Sequence, residues 1–514
     1  MRLIFLLAAA AILFKCTPKP VEKKTAADTT LTFYEEMYRP SYHFSPEKNW
    51  MNDPNGLVYS NGEYHLFYQY NPYGDIWGHM SWGHAVSSDL LRWKHLPVAI
   101  EEYIDKAGDS TMIFSGSAVI DVNNTSGFFP NDSAGMVAIY TSHIHNDAIQ
   151  KQHQSIAYSK DNGRTFTRFE KNPVLDINLK DFRDPKVFWF SPEKKWIMTV
   201  VIPDQFKAQF YESRDLKEWK FLSELGPLGD TVKIWECPDL IQLPILGEKN
   251  KKKWALLISN AHPEGEPFVG MQYFIGNFDG KKFTAERPAQ YPLYLEYGKD
   301  FYAGVTFNNI ASADGRTIVL GWANNWAYGQ HIPTSPWRSS MALPRELYIA
   351  HTPEGDRIIQ RPVREVVALR QEELPDISMI TNTNAVEIEA ELIAGTAQRF
   401  GIKLFKSEKE ETVIGYDQAK QQVFFDRTKS GNVSFHPDFP STETAPVKLK
   451  DGRLKLHIFV DHSIVEVFIN DGEQVITSQV FPTGKDSKIE VFKEDGEAQF
   501  NIKAWSLQSV WSNH

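Results

Sequence analysis

Four short stretches carry acids in the same local setting. Asp53-Pro54 lies within Trp50-Met51-Asn52-Asp53-Pro54-Asn55-Gly56. It is echoed by Arg183-Asp184-Pro185, by Trp235-Glu236-Cys237-Pro238-Asp239 and, without the proline, by Lys299-Asp300-Phe301-Tyr302. One such stretch alone reads as a tight turn, because Pro presets φ and Asn and Gly accept φ > 0. Their recurrence, each ahead of an apolar strand-like run, argues that the acids converge. Converging carboxyls can hydrolyse an acetal between sugars. One attacks or stabilises the anomeric carbon and the other protonates the leaving oxygen, at ~5 to 5.5 Å separation if configuration is retained. Crowding also raises one carboxyl's pKa, so that it stays protonated near neutral pH. The longer reach of Glu236 makes it the expected acid, with Asp53 as nucleophile. Arg183 is expected to keep Asp184 ionised, where it binds hydroxyls and favours a cationic transition state. Trp50, Trp77, Phe114 and Trp322 are candidate walls, and Asn52, Gln69, Ser115 and Asp300 candidate hydrogen-bonding groups. No catalytic metal is expected, since His79 with His84, or His143 with His145, lack a third ligand.

The acids need a scaffold that brings distant stretches together. From Asp53 onward one pattern of about four short strands recurs five times, opening at Asp53, Phe114-Ser115, Arg183-Asp184, Glu236 and Asp300. Copies of this kind are blades of a β-propeller, each starting with its innermost strand. Asp53, Ser115, Asp184, Glu236 and Asp300 are therefore expected to ring one mouth of the central channel. The closures Ser88-Asp89-Leu90-Leu91-Arg92-Trp93 and Ser213-Arg214-Asp215-Leu216-Lys217-Glu218-Trp219 read as outer-strand turns with an aromatic plug. Residues 37–350 thus form the propeller and polar residues 351–375 a linker. In residues 376–514 the period-2 strands at Val386–Leu392, Gly401–Phe405, Gln422–Phe425, Leu454–Val460, Ile464–Ile469, Gln474–Phe481 and Ile489–Val491 predict a β-sandwich. No clustered His, Cys and acid residues are expected there. The fold class is all-β, a five-bladed propeller followed by a sandwich.

Composition agrees. The chain has 514 residues, more than one ordinary core, and 33 Phe, 20 Tyr and 14 Trp, which suits β-structure and a surface that stacks on rings. Its net charge of -10 argues against nucleic acid. Met1-Arg2 and the apolar run Leu3 to Phe14 read as a signal peptide, too short to span a bilayer. Cys16 sits where a bacterial lipoprotein is cleaved and acylated, although Lys15 departs from the small residue usual there. Residues 1–16 are then the leader and 17–36 a flexible tether, so that membrane contact is through a lipid anchor only. The other cysteine, Cys237, is left without a disulfide partner.

Trp50 to Gly56, Phe67-Tyr68-Gln69-Tyr70-Asn71-Pro72, Trp77-Gly78, Phe114-Ser115-Gly116-Ser117, Phe182-Arg183-Asp184-Pro185-Lys186 and Trp235 to Asp239 resemble, in order, the motifs of the β-fructosidases, glycoside hydrolase family 32. The resemblance covers residues 40–510, including Phe459 to Gly472 in the sandwich. It implies no cofactor and retaining hydrolysis of fructosyl bonds, with Asp53 as nucleophile, Asp184 as transition-state stabiliser and Glu236 as acid/base. It further implies that Asn52, Gln69, Trp77, Ser115, Arg183 and Trp322 line the fructose pocket. Asp300-Phe301-Tyr302-Ala303, Gly321 to Trp326 and Ile332 to Arg338 look most like bacterial levanases and inulinases. The expected substrate is fructan, levan or inulin, with sucrose as a smaller one, cleaved from the chain end. Alternatives are an endo-acting levanase, a fructosyltransferase, an inverting arabinan hydrolase and a non-catalytic fructan-binding protein.

Overall fold

The computed structural model describes residues 33–511 except 106, 147–149, 312, 376, 378–384 and 485–487. Cys16, the leader and most of the tether lie outside the described residues. Five sheets open on the strands Asn49–Ser60, Ser110–Asp121, Arg183–Phe190, Glu236–Pro244 and Tyr302–Thr306, and are the five blades. Each continues outward through antiparallel neighbours, as in Arg183–Phe190, Lys195–Ile202, Lys207–Ser213 and Lys220–Leu225. The second strand of that blade, Lys-Trp-Ile-Met-Thr-Val-Val-Ile, is buried along its whole length. Its apolar run does not alternate because packing covers both faces. Trp337–Arg338 pairs in parallel with Asn49–Trp50, so chain from the last blade closes onto the first.

The outer turns form as their sequences require. In the first blade Asp89 Oδ1 accepts the Leu91 and Arg92 N–H groups, while Trp93 donates to the Leu90 carbonyl. Asp215, Leu216 and Trp219 repeat these bonds in the third. These residues are turn chemistry and serve no ligand.

All five innermost strands break register at the same height, between Met51 and Pro54, Ile113 and Gly116, Arg183 and Lys186, Glu236 and Asp239, and Tyr302 and Val305. A β-bulge of this kind re-aims a side chain. Asp184, Cys237 and Ala303 sit in the bulges at φ 65°, 45° and 54°. A left-handed backbone costs a non-glycine residue ~1–3 kcal/mol, which the surrounding sheet must hold in place. The fifth bulge is flanked by Tyr302, and Asp300 lies two residues ahead of it.

Three expectations are corrected here. Asp300 does not reach the mouth of the channel. It is fully buried, accepting hydrogen bonds from Tyr328 Oη at 2.6 Å and Arg427 Nη1 at 2.5 Å, and so faces the second domain. Residues 351–375 are not a linker. Gly355–Pro362 pairs with Arg345–Thr352 as the outer strand of the fifth blade, Arg364–Leu369 is a short 3-10 helix, and Arg370–Glu373 already belongs to the sandwich. The sandwich has sheets of six and five strands, and Glu411–Asp417, Thr442–Pro446 and Ala498–Leu507 join those expected. It also holds a cluster that was not expected: ligand atoms of Glu387, Glu389 and His457 lie within 4.8 Å of one another. Arg370 Nη2 lies 2.7 Å from both Glu387 Oε1 and Glu389 Oε1, so a guanidinium supplies the positive charge there.

Candidate active site

The bulges bring Asp53, Asp184 and Glu236 to one pocket of about 550 Å3, in the size range of small-molecule sites. Asp53 is held by two donors, Asn52 Nδ2 to Oδ1 at 2.9 Å and Ser115 Oγ to Oδ2 at 2.6 Å. Trp50 Nε1 donates to Asn52 Oδ1 at 2.7 Å, which turns the Asn52 amide so that its NH2 faces Asp53. Cys237 sits between two acids, its thiol 3.7 Å from Asp53 Oδ2 and 3.8 Å from Asp184 Oδ2. Its backbone N–H donates to Asp184 Oδ2 at 2.9 Å, and the Asp184 N–H donates to Thr141 Oγ1 at 3.0 Å. Glu236 is gripped on both oxygens. Arg183 donates to Oε1 from Nη2 at 2.8 Å and Nε at 3.1 Å, and Tyr302 Oη donates to Oε2 at 2.6 Å.

Burial sets the protonation of this group. It pushes the Asp53 carboxyl above its usual range against the pull of the Ser115 and Asn52 hydrogen bonds, and Glu236 adds repulsion. Burial likewise lifts Asp184, to about 7, with Glu236 and Asp53 adding to the shift. This reverses the expectation that Arg183 keeps Asp184 ionised: the guanidinium lowers the pKa, and desolvation outweighs it. Burial, then Glu236 for Tyr302 and Asp184 for Cys237, also push these two groups well above their ordinary values, so both remain donors.

Gln69, Trp77, Phe114 and Trp326 complete the walls, with Trp77 37% exposed and so free to meet a ligand. The Gln69 amide NH2 donates to Asn55 Oδ1 and the Ile113 carbonyl, leaving its carbonyl oxygen for a ligand. Trp50 and Trp322 are fully buried, with ring centres 5.9 and 4.8 Å from that of Trp326, and they support a wall that Trp326 presents. Below the acids the channel narrows to about 10 Å3 between Asn55, Gly116, Lys186, Pro238 and Val305, room for about one water. Gly116 lets the innermost strand of the second blade lie close to its neighbour at the bulge, since a Cβ there would lie 2.1 Å from the Ile139 carbonyl oxygen.

Residues 43–362 match the N-terminal domain, and residues 357–506 the C-terminal domain, of the glycosyl hydrolases family 32. The chain belongs to glycosyl hydrolase family 32. Among relatives of this family 32 glycosidase is a levanase of Bacillus subtilis (strain 168), 46% identical over 503 residues, which are 95% of this chain and 72% of the relative. An extracellular exo-inulinase of Aspergillus awamori is 40% identical over 521 residues, 93% of this chain and 96% of that one. The crystal structure of an Aspergillus awamori exo-inulinase matches at TM-score 0.86 and 39% identity, covering 93% of this chain and all of the other. A β-fructofuranosidase of Schwanniomyces occidentalis, complexed with fructosyl-erythritol, matches at TM-score 0.83 and 32% identity, covering 93% and 99%.

Several residues that line the pocket of this family 32 glycosidase or hold its acids escaped the sequence reading. Tyr302 and Trp326 stand close to Asp300 and Trp322, the residues singled out instead. Thr141, His143, Gln152 and Gln154 lie on the second blade and had one visible signal, the alternation Gln150-Lys151-Gln152-His153-Gln154 that puts three glutamines on one face of a strand.

Proposed function

We propose that this glycosidase hydrolyses β-fructofuranosidic bonds of fructans with retention, releasing terminal fructose. The observation that carries the reading is one pocket that brings together three differently held carboxyls. Asp53, oriented by Ser115 and Asn52, attacks the anomeric carbon from below. Glu236, held by Arg183 and Tyr302, serves as acid toward the departing oxygen and then as base toward the water that releases fructose. Asp184, fixed by the Cys237 N–H, binds ring hydroxyls and supports the cationic transition state, while Asn52, Gln69, Trp77 and Ser115 shape the sugar's seat. Chain-end attack is supported by the likeness to exo-inulinases, 39–40% identical over 93% of this chain. A time course of products from levan and from inulin, separated by chain length, is expected to show fructose from the earliest point. A ladder of oligosaccharides would overturn chain-end attack, and the preferred polymer would give the linkage.

We further propose export and anchoring through acylated Cys16, which the leader pattern supports. In the native host Cys16→Ala is expected to move the protein from the membrane to the soluble fraction, and unchanged partitioning would sink the anchor.

A further inference from the structure

One face of the second blade carries a regular set of polar rungs. Thr141, His143 and His145 alternate along the strand Gly135–His145 and stand opposite Gln154, Gln152 and Gln150 on the next strand. The innermost rung is tied to the acids, since Thr141 Oγ1 donates to Gln154 Oε1 at 2.9 Å and accepts the Asp184 N–H. In the middle rung, Gln152 Oε1 accepts the Phe182 N–H at 2.9 Å and Arg183 Nη1 at 3.3 Å. Its NH2 must then donate to His143 Nδ1, 3.3 Å away, which puts the imidazole proton on Nε2. Burial, with the charges of His145 and Arg183, lowers the His143 pKa to about 4, so the ring stays neutral. The outer rung, His145 with Gln150, is exposed and lines the pocket's rim.

The rings continue the wall of the pocket outward. Phe114 stacks on His143 at 4.4 Å and 11°, and His143 on His145 at 5.8 Å and 17°. Phe114 belongs to the wall of the sugar seat, whereas His145 is at the mouth. In this stack Phe114 and His145 cover the His143 ring, so His143 offers a sugar its edge and its Nε2–H, while His145, the last ring, offers its outer face. We infer that Phe114, His143 and His145 form a ramp that binds successive sugar units on the leaving-group side of the scissile bond. In it His143 serves the first unit through its Nε2–H, and His145 the second through its outer face. The ramp rests on the fructosidase reading and makes these histidines the residues that set the preference for chains over sucrose.

The test compares kcat/KM for sucrose, for an inulin-type trisaccharide and for longer fructo-oligosaccharides in wild type, His145→Ala and His145→Phe. His145→Ala is expected to lower kcat/KM ~3- to 10-fold on the trisaccharide and longer chains, the span that ring stacking gives. Sucrose, with one leaving unit, is expected to stay within ~2-fold of wild type, since the loss is confined to the second unit. His145→Phe, which keeps a flat ring, should recover most of the loss. Equal effects at every chain length, or none at any, would overturn the ramp while leaving the fructosidase reading intact. A wild-type protein that neither cleaves nor binds any fructoside would overturn both.

Discussion

Asp53→Asn is expected to lower kcat on levan and inulin by on the order of 10⁴-fold or more, the scale on which removal of a covalent nucleophile acts, while leaving the fold intact. The substitution keeps the shape of the side chain and removes the one atom that must bond to the anomeric carbon. It should also leave thermal stability at pH 7 unchanged or raised. Burial lifts the folded-state pKa of Asp53 above its unfolded value. Such a carboxyl contributes stability that is fully present below its unfolded pKa and is lost as pH rises through the folded one. At neutral pH it is a buried charge, and the amide removes that cost. The same shift sets the pH profile. Asp53 attacks only when ionised, so the acid limb of kcat/KM should lie above the ordinary aspartate value of about 3.9. Asp184 is raised beside it, so the limb reports the group and not one residue. Activity within about tenfold of wild type would refute the nucleophile assignment. A melting temperature several degrees lower would mean that Asp53 holds the structure together.

The three acids of the pocket were legible because the backbone leaves a trace of what it does. Each bulge in an innermost strand has a proline or glycine beside it, and Asp184, Cys237 and Ala303 also take φ > 0, so Asp53-Pro54, Ser115-Gly116, Asp184-Pro185 and Cys237-Pro238 stand out from ordinary strand sequence. Repetition then placed the three acids at equivalent heights. The fifth bulge, Ala303-Gly304, carries no acid, and the nearest one, Asp300, drew the reading two residues too early. Burial hid other features. Nothing in Arg183-Asp184 says that desolvation will outweigh the neighbouring charge, because that depends on walls contributed by four other blades. Trp322 and Trp326 share one short motif, and only the packing decides that Trp326 faces the pocket. Gly355–Pro362 was mistaken for a linker because an outer strand is half polar and lacks the apolar run of an inner one. The ladder on the second blade combines residues from two strands with the Phe182 N–H and Arg183, a pairing that no single stretch displays.

Arg427→Ala is expected to destabilise the protein by ~3–5 kcal/mol, the range found when one partner of a buried ion pair is removed. Arg427 belongs to the sandwich and is fully buried. Its guanidinium meets Asp300 at 2.5 Å, the Tyr328 hydroxyl at 2.8 Å and Glu443 at 3.3 Å, and Asp300 comes from the chain just ahead of the fifth blade's inner strand. Both acids are fully buried, so the variant leaves two carboxyls without their main counter-charge. Scanning calorimetry at pH 7 should show a melting temperature lower by several degrees. Burial already raises the Glu443 pKa, with Arg427 opposing it. Without the arginine Glu443 takes up a proton more readily, so the gap between variant and wild type should shrink as pH falls through the range where it titrates. Replacing Arg427, Asp300 and Glu443 together by apolar residues of similar volume should cost less than Arg427→Ala alone, because no charge is then stranded. A loss below ~1 kcal/mol in the single variant would mean that water reaches the cluster of Arg427, Asp300 and Glu443 and screens the stranded carboxyls.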